Sequence, residues 1–466
     1  MLFSSLSFLF YFLPALSIVY FISPKPMKNT VLLLFSLCFY GWGEPKYLAL
    51  MITTVLTGYV GAILIEKFRD KKLSKVFLSL SSVIILSFLL YFKYANFFVE
   101  NFSRVTGIEV KALNVVLPIG ISFYTFQILS YVIDVYRGDV KSQKNPLTLA
   151  TYVALFPQLI AGPIVRYSDV ESSLISRTHS FEKISEGFRR FIVGLSKKII
   201  VANTLGELCE VFYQSQDKSV LFFWLYAIAY MLQIYFDFSG YSDMAIGLGK
   251  FFGFDFMENF NYPFISSSIT EFWRRWHISL GSWFRDYVYI PMGGSRVGRK
   301  KLIINILTIW CLTGFWHGAA WNFVIWGLFF ALLLMIEKLW LKEWLKKSPV
   351  AGRIYTLFFV IISFVIFSGL SASDIFMKLK GMFAISEIPF ISDEFIYYFK
   401  SYFAVLLIAV IGATPLFKSF KECLYKKRFT KVIMEFFEIP VLLILLVICV
   451  SYLVDGSFNP FLYFRF

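Results

Sequence analysis

Leu48-Ala49-Leu50-Met51-Ile52-Thr53-Thr54-Val55-Leu56-Thr57-Gly58-Tyr59-Val60-Gly61-Ala62-Ile63-Leu64-Ile65 runs for 18 residues without a charge. As a helix it rises about 27 Å, close to the roughly 30 Å of a bilayer's hydrocarbon core. The pattern recurs along the chain, in Leu2–Ile22, Val76–Leu90, Leu221–Phe236, Asn322–Ile336, Tyr355–Leu370, Val405–Thr414 and Val441–Leu453. Of the 466 residues, 58% are hydrophobic and 16% charged. A soluble domain carries about 25% charge and has nowhere to bury so much apolar surface. These runs predict an all-α polytopic membrane protein of about eleven or twelve transmembrane helices plus interfacial helices, the shorter runs being completed by flanking residues, tilt or burial in a bundle.

The charges orient these spans. Met1–Ile22 lacks a basic leader and a small-residue cleavage site, so it reads as a retained first span. Lys25 and Lys28 place its far end in the cytoplasm and Met1 outside. Basic clusters at Lys67–Lys75, Arg296–Lys301, Lys342–Arg353 and Lys418–Lys431 fit the same orientation. The net charge of +15 is therefore read as membrane topology, with a second role in drawing an anionic donor to the inner face. Nucleic-acid binding does not fit charges scattered over membrane loops. Cys38, Cys209, Cys311, Cys423 and Cys449 form no C-x-x-C and no metal spacing, so packing is their expected role, with neither disulfide nor metal.

The organisation expected is one membrane domain over residues 1–466: N-terminal spans at 1–112, a catalytic core at 113–340, C-terminal spans at 341–454 and an extracytoplasmic tail at 455–466. Tyr94–Lys111 and Ala372–Lys400 read as the longest stretches outside the spans, with Ala372–Ala384 suited to a helix in the interface plane. Between Leu117 and Asn322 the apolar stretches are interrupted by Pro118-Ile119-Gly120, Phe156-Pro157-Gln158, Ala161-Gly162-Pro163 and Asp237-Phe238-Ser239-Gly240-Tyr241-Ser242-Asp243. Broken helices and polar groups at membrane depth are tolerated only inside protein or beside water, so an internal chamber is expected here.

Three histidines are available. His179 sits in a polar stretch and reads as solvated. His317, in Gly314-Phe315-Trp316-His317-Gly318 between two apolar runs, is a functional candidate because a histidine at membrane depth is costly, the alternative being a buried packing histidine. Around His277, the residues Trp273, Trp276, Leu280, Trp283 and Tyr287 recur at three- and four-residue steps, predicting one helix with an aromatic stripe and with His277, Gly281 and Arg285 on a neighbouring face. An interfacial belt helix and a functional site remain equal readings there. Asp134, Asp237 and Asp243 read as ion-pair partners for Arg137, Arg274 or Arg275, or as proton relays. No P-loop, nucleophile elbow or H-E-x-x-H occurs, which leaves ATP-driven transport, serine-triad hydrolysis and zinc hydrolysis without support.

Taken together, these motifs resemble the membrane-bound O-acyltransferase (MBOAT) family, in the branch of alginate and peptidoglycan O-acetylation and teichoic-acid D-alanylation. The residues carrying the likeness are Leu117–Gln127, Gln158–Ile164, Asp237–Asp243, Phe272–Leu280 and Gly314–Gly318, in family order. The resemblance implies a ring of tilted helices around a central chamber, with the family histidine at His317 and a second one at His277. It implies acyl transfer from a thioester to a hydroxyl, with His317 as general base and with His277 and Trp276 orienting the donor or stabilising the oxyanion. Trp316, Arg274, Arg275, Asn322, Gln127 and Asp237 are the further candidates for the substrate channel. The expected donor is acetyl-CoA or the thioester of an acidic acyl carrier protein on the cytoplasmic face, with no bound cofactor. The expected partner is an extracytoplasmic SGNH-type acyltransferase that completes O-acylation of a cell-envelope polymer, and the expected location is the bacterial cell membrane.

Two other readings stand beside this one: D-alanyl transfer to teichoic acid, and a secondary transporter or flippase, for which the related halves typical of such carriers are not visible. The stretch Phe461-Leu462-Tyr463-Phe464-Arg465-Phe466 reads as an aromatic anchor or, by resemblance to a motif of the teichoic-acid system, as an acyl carrier at Tyr463. A phenol with a pKa near 10 leaves more easily than an alkyl alcohol, so a tyrosyl ester would stay activated.

Overall fold

The computed structural model describes residues 1–385, 387–456 and 458–459, with the side chain of Arg428 left aside. Helix is the only regular secondary structure among them. Among the described residues, seven helices are long and apolar enough to cross a membrane: Pro45–Lys67, Lys72–Thr106, Val220–Phe251, Trp321–Lys347, Pro349–Phe367, Asp393–Gly412 and Phe429–Val454. Phe8–Ile22 is apolar but shorter. The count of eleven or twelve included such shorter segments, which contribute helix without the length to cross on their own.

The chain forms two compact units, Met1–Phe191 with Met244–Met257, and Ile192–Asp243 with Glu258–Phe466. In the first, Leu48–Lys67 packs against both Lys72–Thr106 and Ile121–Arg137. Small residues allow this. A Cβ on Gly58 would lie 2.6 Å from the Ile128 side chain, and one on Gly61 would lie 2.1 Å from Ser81 Oγ. Close backbone approach through small residues is how helices associate where lipid removes the hydrophobic incentive. The expected break at Pro118–Gly120 is present: Gly120 has φ +73°, and a Cβ there would sit 2.5 Å from the Leu159 carbonyl. Tyr94–Lys111, expected to lie outside the spans, is helical as far as Thr106, as the last turns of a 35-residue helix that is longer than the roughly 30 Å hydrocarbon core requires.

The second unit holds a core of aromatic and aliphatic side chains that includes Phe272, Trp276, Trp310, Trp326 and Phe330. Asp237–Asp243, which interrupts an apolar stretch of sequence, does not interrupt the backbone: it lies inside the continuous helix Val220–Phe251, largely enclosed by protein. Gly240 serves packing there, since a Cβ on it would lie 2.7 Å from the Gly194 carbonyl. Both aspartates form ion pairs, with lysines rather than with Arg274 or Arg275. Lys198 Nζ lies 2.8 Å from Asp237 with both side chains buried, and Lys197 Nζ lies 2.6 Å from Asp243. Helix Ala372–Met382 forms where an interface helix was expected, capped by Ser371. Its Lys378, however, is fully buried and donates to Tyr213 Oη at 2.8 Å and to Asp374 at 2.9 Å, so this lysine faces protein rather than water.

Candidate active site

The segment carrying His277 is not one helix. Ile269–Arg275 begins at Ser268, whose hydroxyl accepts from the Glu271 N–H, and the buried Glu337 carboxylate takes the Ile269 and Thr270 N–H groups. A carboxylate at that position satisfies orphan donors and complements the helix dipole. The helix ends at Arg275, and a second short one runs Ile278–Phe284. Between them His277 adopts φ +45°, ψ +54°, the left-handed region. A continuous aromatic stripe was the expectation; the backbone turns at the one residue where periodicity gave no warning. Such a conformation in a non-glycine residue costs on the order of 1–3 kcal/mol and persists only where surrounding structure enforces it.

The enforcement comes from Asn259–Asn261. The Ile278 N–H donates to the Asn259 carbonyl at 3.0 Å, and the Asn261 N–H donates to the Arg275 carbonyl at 2.9 Å. The Asn259 Oδ1 atom accepts from the Ser279 N–H at 3.1 Å and from Ser279 Oγ at 2.9 Å, and it lies 3.2 Å from His277 Nδ1. His277 is buried, at 1% exposure, with its ring edge-on to Phe238 at 4.7 Å and to Trp316 at 5.7 Å between centroids.

His317 follows Trp316 at the end of helix Arg299–His317. It is also buried, between Trp326 at 4.9 Å and Phe367 at 5.4 Å. The helix reaches this position because Gly314 and Gly327 let it approach Trp321–Ile336: a Cβ on Gly327 would lie 2.3 Å from the Trp310 carbonyl. Trp316 therefore touches both imidazoles, and the two histidines face one aromatic wall from different sequence segments.

Beside His277 opens a cavity of about 670 Å³ whose wall includes Arg274, Arg285, Trp310, Thr313 and Lys338. Thr313 lies one turn before His317 on the same helix. The cavity is apolar toward Trp310 and cationic at Arg274, Arg285 and Lys338. Arg285 is partly neutralised by Asp286, with Nε–Oδ1 at 2.6 Å.

The other expected channel residues divide. Arg274 lines the cavity, whereas Arg275 holds Glu271 and the Asn261 carbonyl and does not line it. Trp276 packs into the core against Phe272 at 5.6 Å. Asn322 donates to the Phe367 carbonyl at 3.0 Å, fixing a wall of His317. Asp237 is held by Lys198, while its neighbour Phe238 reaches His277. Gln127 belongs to the first unit, on helix Ile121–Arg137, where its side-chain amide is buried with no hydrogen-bond partner among the described residues. His179, expected to be solvated, is half-buried and bonded to Tyr20 Oη at 3.0 Å; burial, with Lys28 and Arg177 nearby, lowers its pKa. Tyr463 lies outside the described residues. Sequence reasoning missed Asn259 and Glu337, since a lone asparagine or glutamate carries no spacing that marks it; only the contacts single them out.

Comparison with known proteins identifies the family. Residues 139–377 match the family model of MBOAT, the membrane-bound O-acyltransferase family. The chain is 41% identical over 393 residues to a probable alginate O-acetylase AlgI of Azotobacter vinelandii, covering 83% of this chain and 79% of that protein. It is 33% identical over 427 residues to the peptidoglycan O-acetyltransferase of Helicobacter pylori, covering 83% and 81%. To the teichoic acid D-alanyltransferase of Bacillus subtilis it is 30% identical over 277 residues, covering 55% and 70%. The chain belongs to the membrane-bound O-acyltransferase family and is a multi-pass membrane acyltransferase.

Proposed function

We propose that this protein moves an acyl group, acetyl first, from a cytoplasmic thioester to an acceptor on the far side of the cell membrane, for O-acylation of an envelope polysaccharide or peptidoglycan. The observation that carries the reading is the pair His277 and His317, both with their rings against Trp316, with a cavity of about 670 Å³ against His277. That volume lies in the range of small-molecule sites of about 300–1,000 Å³. Its cations, Arg274 and Lys338, suit the phosphates of acetyl-CoA or of a carrier-borne arm. His317 takes the acceptor hydroxyl's proton as its oxygen attacks the thioester carbonyl, and the thiolate leaves. A thioester is already activated, so no acyl-histidine is needed. The donor enters from the side of the basic clusters, both chain ends lie outside, Tyr463 receives the acyl group before a partner acyltransferase of the SGNH type, and the polymer is acylated last. The relatives' names support acetyl over D-alanyl, since the acetylating ones match most of this chain.

The test is thiol release by the purified full-length protein, with acetyl-CoA or a D-alanyl carrier protein as donor. Acetyl-CoA is expected to turn over, and His317→Ala to lose about 100-fold or more while remaining folded. Retention of a tenth of the rate would remove His317 as base. Tyr463→Phe is expected to keep donor binding but abolish polymer acylation and the acyl adduct on the C-terminal peptide.

A further inference from the structure

Asn259 decides which nitrogen of His277 is basic. The backbone N–H of Ser279 can only donate, so the asparagine atom that it meets at 3.1 Å must be the amide oxygen. That oxygen can only accept, so Nδ1 of His277, 3.2 Å away, carries the ring proton and donates it. Burial disfavours the imidazolium form. The proton is thus on Nδ1, and Nε2 is left as a lone-pair acceptor, buried and without a hydrogen-bond partner among the described residues. An unpaired buried acceptor and a left-handed backbone are both costly features. Both fall on the one histidine that lines the cavity.

We infer that Asn259 is a positioning residue for acyl transfer, fixing His277 as a hydrogen-bond acceptor for an amide N–H of the donor's pantetheine arm rather than as an oxyanion donor. The inference rests on the proposed use of a pantetheine-borne thioester. Neutral His277 has no N–H to offer a developing oxyanion, because its only one is held by Asn259. The charged groups around it do not reverse this assignment. Arg274, Arg285 and Lys338 line the cavity and further disfavour a second positive charge. Asp237 is paired with Lys198, Asp243 with Lys197, Glu271 with Arg275 and Asp286 with Arg285, and Glu258 is exposed. The helix Arg299–His317 meets His277 through Trp316, whose ring also lies 5.0 Å from that of His317.

The experiment uses the full-length protein in detergent with acetyl-CoA, recording kcat and KM between about pH 5.5 and 8.5. Asn259→Leu removes the fixed acceptor and leaves Nδ1 only Ser279 Oγ, at 3.5 Å, a hydroxyl that can donate or accept and so no longer fixes the tautomer; KM is expected to rise about tenfold, the worth of one well-made hydrogen bond, with a smaller change in kcat. Asn259→Asp is isosteric and keeps all three acceptor bonds, so it guards against simple misfolding. Its carboxylate favours imidazolium and turns Nε2 into a donor, so kcat/KM is expected to match wild type at the alkaline end and, toward the acid end, to fall at least about tenfold further than the loss that protonation of the base His317 gives wild type. A wild-type KM in Asn259→Leu, or a pH profile of Asn259→Asp parallel to wild type, overturns the inference. Nitrogen NMR of histidine-labelled protein, assigned with His277→Gln, reads the tautomer without any donor. Protonated Nε2 overturns the assignment whatever the substrate, whereas protonated Nδ1 with no turnover of acetyl-CoA places the failure in the proposed donor.

Discussion

Val220–Phe251 and Phe429–Val454 are both long and apolar enough to cross a membrane, yet they have opposite surroundings. The first has a mean hydropathy of 1.5 over its most apolar window and is 78% buried there; the second has 2.6 and is 6% buried. The less apolar helix is thus the more enclosed one, the reverse of the rule for soluble proteins. Lipid accepts only apolar side chains, whereas a protein interior can satisfy polar ones. Val220–Phe251 uses that freedom to carry Asp237, bound by Lys198, and Phe238, which touches His277. The second helix exposes Leu443, Ile444 and Val447. Hydropathy therefore marks where the chain crosses, and departures from it mark where chemistry is assembled.

The contrast can be broken most forcefully at the buried ion pair. Lys198→Met removes the buried ion pair to Asp237 and is expected to lose about 3–5 kcal/mol, read as a lower unfolding temperature in detergent. The double variant Lys198→Met/Asp237→Leu is expected to recover much of this. If the single variant is as stable as wild type, the pair is not what permits a carboxylate inside this helix. A smaller effect is expected at Gly327→Ala, whose new methyl would lie 2.3 Å from the Trp310 carbonyl. Forcing the two helices apart costs about 1–3 kcal/mol, and because the first of them ends at His317, acyl transfer should fall with stability. Unchanged turnover at reduced stability would separate the packing of this helix from the placement of the base. The smallest change is expected at Val447→Ala, on the exposed face of Phe429–Val454, with a shift within about 0.5 kcal/mol and unaltered thiol release. A large loss there would mean that this face is covered in the working protein and would end its description as a lipid-facing helix.

Much of the site could be read from the sequence because lipid makes polar residues conspicuous. His317 stood out as a histidine between apolar runs, and the structure buries it at the end of a helix against Trp326 and Phe367. His277 was singled out as well, but with the wrong local geometry. Three- and four-residue spacing of Trp273, Trp276, Leu280 and Trp283 is the signature of a continuous helix, and no glycine or proline marks a break between Arg275 and Ile278. The left-handed turn exists only because Asn259 and Asn261, some 18 residues upstream, supply hydrogen bonds to it. Likewise, the carboxylates in apolar stretches were recognised as needing partners, yet which partners was decided by packing. Lys197 and Lys198 precede them by some 40 residues, and nothing in the spacing favoured these lysines over Arg274 or Arg275.

What the sequence determined by itself is the solvent: long uncharged runs fix a helical membrane protein, because a backbone in lipid must bond to itself. It also fixed the small set of polar residues that such a solvent would not tolerate without a reason. Only the tertiary structure decided the pairing of those residues, the kink at His277 and the orientation of its ring. Each depends on contacts between segments far apart in the chain, and a hydrogen bond's direction is set by which donor meets which acceptor rather than by composition.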